Sequence, residues 1–269
     1  TQDHLDYHDT MEKYRDAKGK LFQGKLTKKA IINREDKNHQ YFLDIASDKE
    51  SETFGISDLD FYKNSQKGFI CQLNSYVFEL PLVGEFNLSN AIAAYTSVKC
   101  LGYSDKLIIP FLAKLSPPPG RMQQLENSNI WIDYAHTPDA LDNALSTLRA
   151  HYPESTIRVL FGCGGDRDKS KRQIMGEIAS ENADSIILTN DNPRSEDPQK
   201  IISDILDGIK VENDVQVILD RGHAINSAIQ TLGEEEALLI AGKGHETTQI
   251  IGSQILPFSD IEVALNALI

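Results

Sequence analysis

The chain has few cysteines and no long apolar run, and each absence excludes a class of protein. Its three cysteines, Cys71, Cys100 and Cys163, are far apart and form no CxxC or other metal-ligand spacing. The sequence therefore predicts buried, reduced thiols rather than a disulfide framework or a zinc site. No apolar segment approaches the roughly 20 residues that a membrane-spanning helix needs, and no signal peptide is evident. We therefore expect a cytoplasmic protein that does not cross a membrane.

Positive charge is also scarce. The chain carries 27 Lys and Arg against 40 Asp and Glu, a formal net charge of -13. A nucleic-acid-binding surface needs clustered Lys and Arg to displace counterions from phosphates. We therefore expect no nucleic-acid partner, and an anionic ligand must find a local basic patch.

The standard phosphate-binding loops are missing as well. The segment FGCGGDRDKSKR, residues 161–172, lacks the third glycine of a dinucleotide fingerprint. It also lacks glycines where a Walker A loop ending at Lys169 and Ser170 would need them, because Cys163 and Asp168 stand there. What remains is a glycine-rich turn whose backbone amides can face an anion. Arg167 beside it is either a ligand-binding residue or a member of a surface salt bridge.

From about residue 130 onward, apolar strands alternate with amphipathic helices. The predicted strands are NIWIDYA, IRVLFG, SIILT, VQVIL and ALLIAG. Thr137 and Asp197 each precede a proline, and Ser259 with Glu262 forms a capping-box pattern, so all three mark helix starts. Such alternation is typical of an α/β fold with a mostly parallel, Rossmann-like sheet.

The first part of the chain has a different pattern. YFLDI, TFGIS and GFICQLNSYVFELPL are predicted to be short strands, the last a hairpin that turns at Asn74. A helix follows over about residues 88–101. The stiff segment SPPPGR, residues 116–121, marks the predicted domain boundary, with domains at 1–117 and 118–269.

Polar residues follow several of the predicted parallel strands, where ligands bind in such sheets. Asp133 and His136 follow the first strand, DNPR at residues 191–194 follows SIILT, and GKGHET at 242–247 follows ALLIA. The last segment is not a HExxH zinc motif, because Gln249 stands at the second histidine position. Its glycines permit close approach to a ligand, with Glu246 as an acceptor for an ammonium group; a solvated turn is the alternative.

Other candidates lie in the first part. DHLDYH at residues 3–8 suggests a divalent-cation site, although His4 and its neighbours also suit a helix end. Lys18 is either functional or an ordinary surface lysine. Asn87 and Asn90 lie three apart at a helix start, where capping is the alternative to ligand binding.

In their order along the chain, these segments resemble the Mur ligases, in particular the members that add the third residue of the peptidoglycan stem peptide. The matching segments are TQDHLDYH, the Lys18 region, GEFNLSN, PPGRMQQL, DYAHTPDA, FGCGGDRDKSKR, DNPR and GKGHE. The resemblance implies a three-domain enzyme, of which residues 1–117 form an incomplete central ATPase-type α/β domain and 118–269 the Rossmann-like C-terminal domain. The chain starts without Met, so we expect a fragment that lacks the phosphate loop and is inactive alone.

The resemblance also implies the chemistry. ATP and Mg²⁺ convert the glutamate carboxylate of UDP-N-acetylmuramoyl-dipeptide into an acyl phosphate, which the amine of meso-diaminopimelate attacks; the enzyme is expected to be a monomer. By position in the family motifs, His4 binds magnesium and Lys18 is the catalytic, carbamylated, metal-bridging lysine. The implied nucleotide-binding residues are Asn87, Asn90, Arg121, Asp133 and His136. The implied meso-diaminopimelate pocket consists of Arg167, Asp191, Asn192, Arg194, Gly242 and Glu246.

Arg194 is expected to select the substrate. Meso-diaminopimelate carries a second carboxylate that lysine lacks, and a guanidinium grips a carboxylate in a paired, planar manner. Either Asp191 or Glu246 complements the ammonium group. The alternatives are a folylpolyglutamate synthetase-like ligase and a non-catalytic module that binds an amino acid or a nucleotide.

Overall fold

The computed structural model describes residues 10–25, 27–65, 67–125, 128–211 and 213–269. The chain forms two compact units, divided between Ser116 and Pro117. This division lies at the start of the SPPPGR segment, one residue from the boundary drawn from the sequence.

The first unit combines helices with two small sheets. Its helices are α1 (Met11–Gly19), α2 (His39–Ile45), α3 (Glu85–Cys100) and α4 (Asp105–Leu112), and short 3₁₀ turns cover Lys20–Phe22 and Ile56–Asp58. Strands β1 (Lys29–Asn33) and β2 (Glu50–Phe54) pair in parallel. Strands β3 (Phe61–Ser65), β4 (Gly68–Leu73) and β5 (Tyr76–Leu80) form an antiparallel sheet, and the predicted hairpin turns at Asn74 with a φ of 54°.

One predicted strand of this unit is wrong. YFLDI belongs to helix α2, and the strand of this region is β1 instead. Phe42 and Leu43 pack from the helix onto Ala30 and Ile32 of β1. A short apolar run has no periodicity that separates helix from strand, so its packing decides. TFGIS is a strand only up to Phe54, because the chain then enters the 3₁₀ turn.

The second unit is an α/β sheet flanked by helices, as the alternating pattern predicts. Its strands are β6 (Gln123–Gln124), β7 (Ile130–Asp133), β8 (Thr156–Phe161), β9 (Ser185–Leu188), β10 (Asp214–Val217) and β11 (Glu236–Ala241). Among the described residues the sheet has six strands in the order β10-β9-β8-β11-β7-β6, all parallel except β6. The helices are α5 (Pro138–His151), α6 (Ser170–Asn182), α7 (Pro198–Leu206), α8 (Arg221–Gln230) and α9 (Asp260–Ala267), and a hairpin of β12 (Thr248–Ile251) and β13 (Gln254–Pro257) follows β11.

The predicted caps begin three of these helices. Thr137 accepts a hydrogen bond from the Ala140 amide, and Asp197 accepts one from the Gln199 amide. Ser259 accepts one from the Glu262 amide. Each cap satisfies an amide that the first turn leaves without a partner.

The sheet register brings the strand ends together. Ala241 pairs with Asp133, and Phe161 pairs with Leu188. Ile240 pairs with Leu160, so all four central strands end at the same level. The segments that follow them, which carry most of the predicted site residues, therefore emerge along one edge of the sheet.

Candidate functional site

Asp133, at the end of β7, is a buried acid held by backbone amides. Its carboxylate accepts a hydrogen bond of 2.6 Å from the Met122 amide. Burial raises the pKa of Asp133 to about 6, although the Met122 amide and the Arg121 charge act in the opposite direction. Asp133 therefore fixes the segment that carries Arg121 beside the strand end.

Tyr134 is the centre of the group predicted to contact a nucleotide. The Arg121 guanidinium lies 4.8 Å from the centre of the Tyr134 ring. The rings of His136 and His245 lie with their centres 4.5 Å and 5.1 Å from that of Tyr134. Lys171 donates to the His136 carbonyl at 2.7 Å. Arg121, Asp133 and His136 thus meet around an aromatic residue that the motifs did not single out.

Arg194 has a backbone conformation that non-glycine residues rarely adopt, with a φ of 52°. The β12–β13 hairpin holds it there, because the Arg194 amide donates to the Ile250 carbonyl at 3.1 Å and the Gly252 amide donates to the Arg194 carbonyl at 2.7 Å. The guanidinium donates through Nη1 to the Gly165 carbonyl at 2.8 Å. Its backbone and one edge of its guanidinium are therefore fixed before any ligand arrives.

Asp191 is a buried acid at the start of the DNPR segment. It is 8% exposed, and within the described ranges its carboxylate forms no hydrogen bond or salt bridge. Burial raises its pKa, while the charges of Arg221 and Lys243 act in the opposite direction. The hairpin holds this residue through its backbone, because Gln249 donates to the Asp191 carbonyl at 2.8 Å.

Asn192 and Glu246 meet at a buried lysine. Lys243 is 0% exposed and donates to Asn192 Oδ1 at 3.1 Å and to Glu246 Oε2 at 2.8 Å. Asn192 Nδ2 donates to the same Glu246 oxygen at 3.0 Å. Hydrogen bonds from Lys243 and Asn192 lower the pKa of Glu246, although burial opposes them.

Glycines allow the loops to come this close. A Cβ on Gly242 would lie 2.9 Å from Asp191 Oδ2, and one on Gly165 would lie 1.9 Å from the Pro193 carbonyl oxygen. A Cβ on Gly164 would meet Arg194 Nη1 at 2.9 Å and Arg167 Cγ at 3.7 Å. The glycine-rich turn therefore packs directly on the DNPR segment and brings Arg167 to it. The Arg167 side chain is exposed and, within the described residues, its hydrogen bond goes to the carbonyl of its neighbour Asp166 at 3.2 Å.

In the first unit, the candidate site residues that the structure describes are Lys18, Asn87 and Asn90. Lys18 is exposed at the end of α1, with its ammonium 5.1 Å from the centre of the Tyr14 ring. Asn87 is buried and donates to the Val83 carbonyl at 2.9 Å, whereas Asn90 is exposed. His4, the predicted magnesium ligand, lies outside the described residues. Within them, no group of three or more His, Cys, Asp or Glu side chains is arranged to hold a metal ion.

Sequence reasoning missed Lys243 and Gln249, which contact the DNPR segment. Lys243 stands between the two glycines of GKGHE, and that position was its only signal. In the sequence, Gln249 stands out because it occupies the second histidine position of a zinc motif.

Comparison with known families identifies both units. Residues 120–244 match the model of the Mur ligase glutamate ligase domain, and residues 1–98 match that of the Mur ligase middle domain. The chain belongs to the Mur ligase family. The predicted resemblance and the predicted fold class are thereby confirmed.

Similar proteins agree with this assignment. The UDP-N-acetylmuramoyl-L-alanyl-D-glutamate--2,6-diaminopimelate ligase of Synechocystis sp. is 41% identical over 285 residues, covering 100% of this chain and 56% of that protein. A solved structure of a ligase with the same name is 35% identical, with a TM-score of 0.66, over 100% of this chain and 58% of that one. A folylpolyglutamate synthase from Mycobacterium tuberculosis, complexed with ADP, shares the fold with a TM-score of 0.68 at 19% identity, over 84% of this chain and 55% of that one.

The chain thus spans somewhat more than half the length of these relatives. Within the described part, no helix has the length and apolar character to span a membrane.

Proposed function

We propose that this chain is the amino-acid-binding part of a Mur ligase whose complete form adds meso-diaminopimelate to UDP-N-acetylmuramoyl-L-alanyl-D-glutamate. The reaction uses ATP to form an acyl phosphate during peptidoglycan precursor synthesis in the cytoplasm, and the enzyme acts as a monomer. The diaminopimelate ligases that are 41% identical over the whole chain support this proposal.

One observation carries the substrate assignment. Asp191 and Arg194 lie three residues apart in one loop, and neither has a salt-bridge partner within the described residues. An amino-acid head group presents one ammonium and one carboxylate, so this pair of charges is its complement. Arg194 grips the distal carboxylate of diaminopimelate with the free edge of its guanidinium, and Asp191 receives the adjacent ammonium. Lysine has no distal carboxylate and loses the first interaction.

The other residues of the site bind the substrates and position the attacking amine. Gly242 leaves room beside Asp191, and the exposed Arg167 lies close to Gly164, as Arg194 does. Orientation of the attacking amine accounts for much of the acceleration in such reactions. Arg121, Tyr134 and His136 present a cation and flat rings that suit a nucleotide.

Magnesium would neutralise the phosphates and the acyl phosphate when bound. By family position His4 and Lys18 are its assigned partners, with Lys18 carbamylated. Lys18 is an exposed cation on α1, and the described residues offer no donor set that fits a metal.

The test is a titration of the purified chain with meso-diaminopimelate and, separately, with L-lysine, followed by ligand-observed NMR. Arg194→Gly is the best variant, because glycine tolerates the φ of 52° and only the side chain is lost. Losing a buried charge partner costs about 2–5 kcal/mol, so preference for diaminopimelate should fall about 30-fold or more. Arg194→Lys keeps the positive charge but lacks the paired N–H donors of the guanidinium. Its preference for diaminopimelate over lysine should lie between those of the wild type and Arg194→Gly.

The outcomes separate the hypotheses. A variant that keeps the full preference contradicts the role of Arg194, and a wild-type preference for lysine contradicts the substrate. Binding of neither compound contradicts a pocket preformed in this chain. Glutamate-dependent phosphate release with a folate by the complete enzyme would instead favour a folylpolyglutamate synthetase.

A further inference from the structure

Lys243 is buried although lysine is almost never fully buried without a partner. It follows β11 between Gly242 and Gly244, whose φ values are 112° and 53°. These left-handed conformations suit glycine and turn the intervening backbone sharply. The turn directs the lysine side chain into the protein, where it is 0% exposed.

The ammonium closes a ring of hydrogen bonds with two other side chains. Lys243 and Asn192 both donate to Glu246 Oε2, and Lys243 also donates to Asn192 Oδ1. Asn192 Oδ1 accepts a second hydrogen bond from the Ile250 amide of the hairpin at 2.9 Å. The three side chains are therefore fixed relative to each other and to β12.

The ring of hydrogen bonds also neutralises one charge of the pocket, that of Glu246. Glu246 is neutralised by Lys243, and Arg221 is paired with Asp260 through two hydrogen bonds of 2.7 Å. Asp191 and Arg194 form no salt bridge within the described parts of the chain, although the charges of Arg221 and Lys243 act on Asp191. Without the Lys243 charge, two carboxylates would compete for one ligand ammonium and repel its carboxylates.

We propose that Lys243 is a positioning residue of the amino-acid pocket, which holds Asn192 and Glu246 in place and neutralises Glu246, so that Asp191 is the acid that receives the ligand ammonium. The statement that Asp191 receives the ligand ammonium rests on the proposed function. The ring itself depends only on the contacts within the chain.

The test compares Lys243→Met, Lys243→Met with Glu246→Gln, and Lys200→Met. Lys200 is an exposed lysine of α7 and is the matched control. Glutamate carboxyl carbons and asparagine side-chain amides are followed by NMR during a pH titration. The charged or titratable groups around Glu246 in the described part of the chain are Lys243, Arg194, Arg221, Tyr134 and Asp191.

In Lys243→Met, burial is no longer offset by the ammonium, so the pKa of Glu246 should rise. The Asn192 amide signal should shift as well, and affinity for meso-diaminopimelate should fall at least about tenfold. The double variant removes the uncompensated carboxylate and should regain part of that affinity, which a mere packing role would not explain. Lys200→Met should change none of these values.

An unchanged pKa of Glu246, or an altered pKa with full affinity, overturns the proposal. If Lys243→Met fails to fold, recovery of folding in the double variant supports neutralisation, and failure of both variants overturns it. If the wild-type chain binds no diaminopimelate, the proposed function fails, while the pKa and the amide signal still decide the role of Lys243.

Discussion

Removing one partner of the buried pair of Arg221 and Asp260 should cost more stability than breaking an exposed pair of the second unit. Both side chains are 0% exposed, and the guanidinium donates to both oxygens of Asp260 at 2.7 Å and to the Ala241 carbonyl at 2.9 Å. Arg221→Met leaves a carboxylate buried without its partner. Such a change costs about 3–5 kcal/mol, a large fraction of the roughly 5–15 kcal/mol that stabilises a domain.

The single tryptophan, Trp131, is buried in β7, so its fluorescence reports on the second unit alone. Urea unfolding should show a lower midpoint for Arg221→Met with an unchanged slope. The control is Arg149→Met, which breaks a pair with Asp184 whose side chains are 39% and 48% exposed. Exposed pairs contribute about 0–1 kcal/mol, so this variant should lose far less stability.

Adding Asp260→Asn to Arg221→Met removes the buried charge and should restore part of the stability. If Arg221→Met costs no more than Arg149→Met, or if the double variant is the less stable of the two, uncompensated burial of charge is not the cause.

Two further predictions use the same fluorescence assay. The pKa of Asp133 is raised from 3.8 to about 6 by burial, so its contribution to stability is present below pH 4 and is lost as the pH rises through 6. The two-unit shift corresponds to about 3 kcal/mol, so the stability of Asp133→Asn relative to the wild type should rise by about this amount between pH 4 and pH 7; a pH-independent difference would refute it. Gly165→Ala places a methyl 1.9 Å from the Pro193 carbonyl oxygen and should cost about 1–3 kcal/mol. Gly222→Ala, in a helix with no heavy atom nearer than 3.4 Å, should be neutral or stabilising by up to about 1 kcal/mol, and equal effects of the two would contradict this account.

The second unit was readily predicted because local and tertiary signals agree there. Its buried parallel strands are continuous apolar runs, and its helices begin at Thr137, Asp197 and Ser259, which are strong caps. In the first unit the apolar run YFLDI is too short for a period to appear, so contacts with β1 decided between helix and strand. The β12–β13 hairpin was not predicted because residues such as Ile255 are exposed, and because Arg194, which bridges to Ile251 of β12, is distant in sequence.

The site was predicted as a set of residues but not as a mechanism. Position after parallel strands correctly indicated that Asp133, Asp191 and Glu246 lie at one edge of the sheet. Sequence could not show that Glu246 already has an ammonium partner, because the direction of the Lys243 side chain depends on the φ values of its flanking glycines. The proposed choice of Asp191 over Glu246 as the ammonium acceptor rests on these contacts.

The strand order has a consequence for how each chain acquires its structure. Strand β11 lies between β7 and β8, so Leu239 pairs with both Trp131 and Val159. Both partners are far from Leu239 in the sequence. Contacts of this sequence separation slow folding, because a long loop must close before they form. During synthesis the two flanking strands leave the ribosome long before the strand that joins them. Until Glu236–Ala241 emerges, the edges of β7 and β8 that β11 covers lack this partner, and unpaired strand edges of this kind favour aggregation.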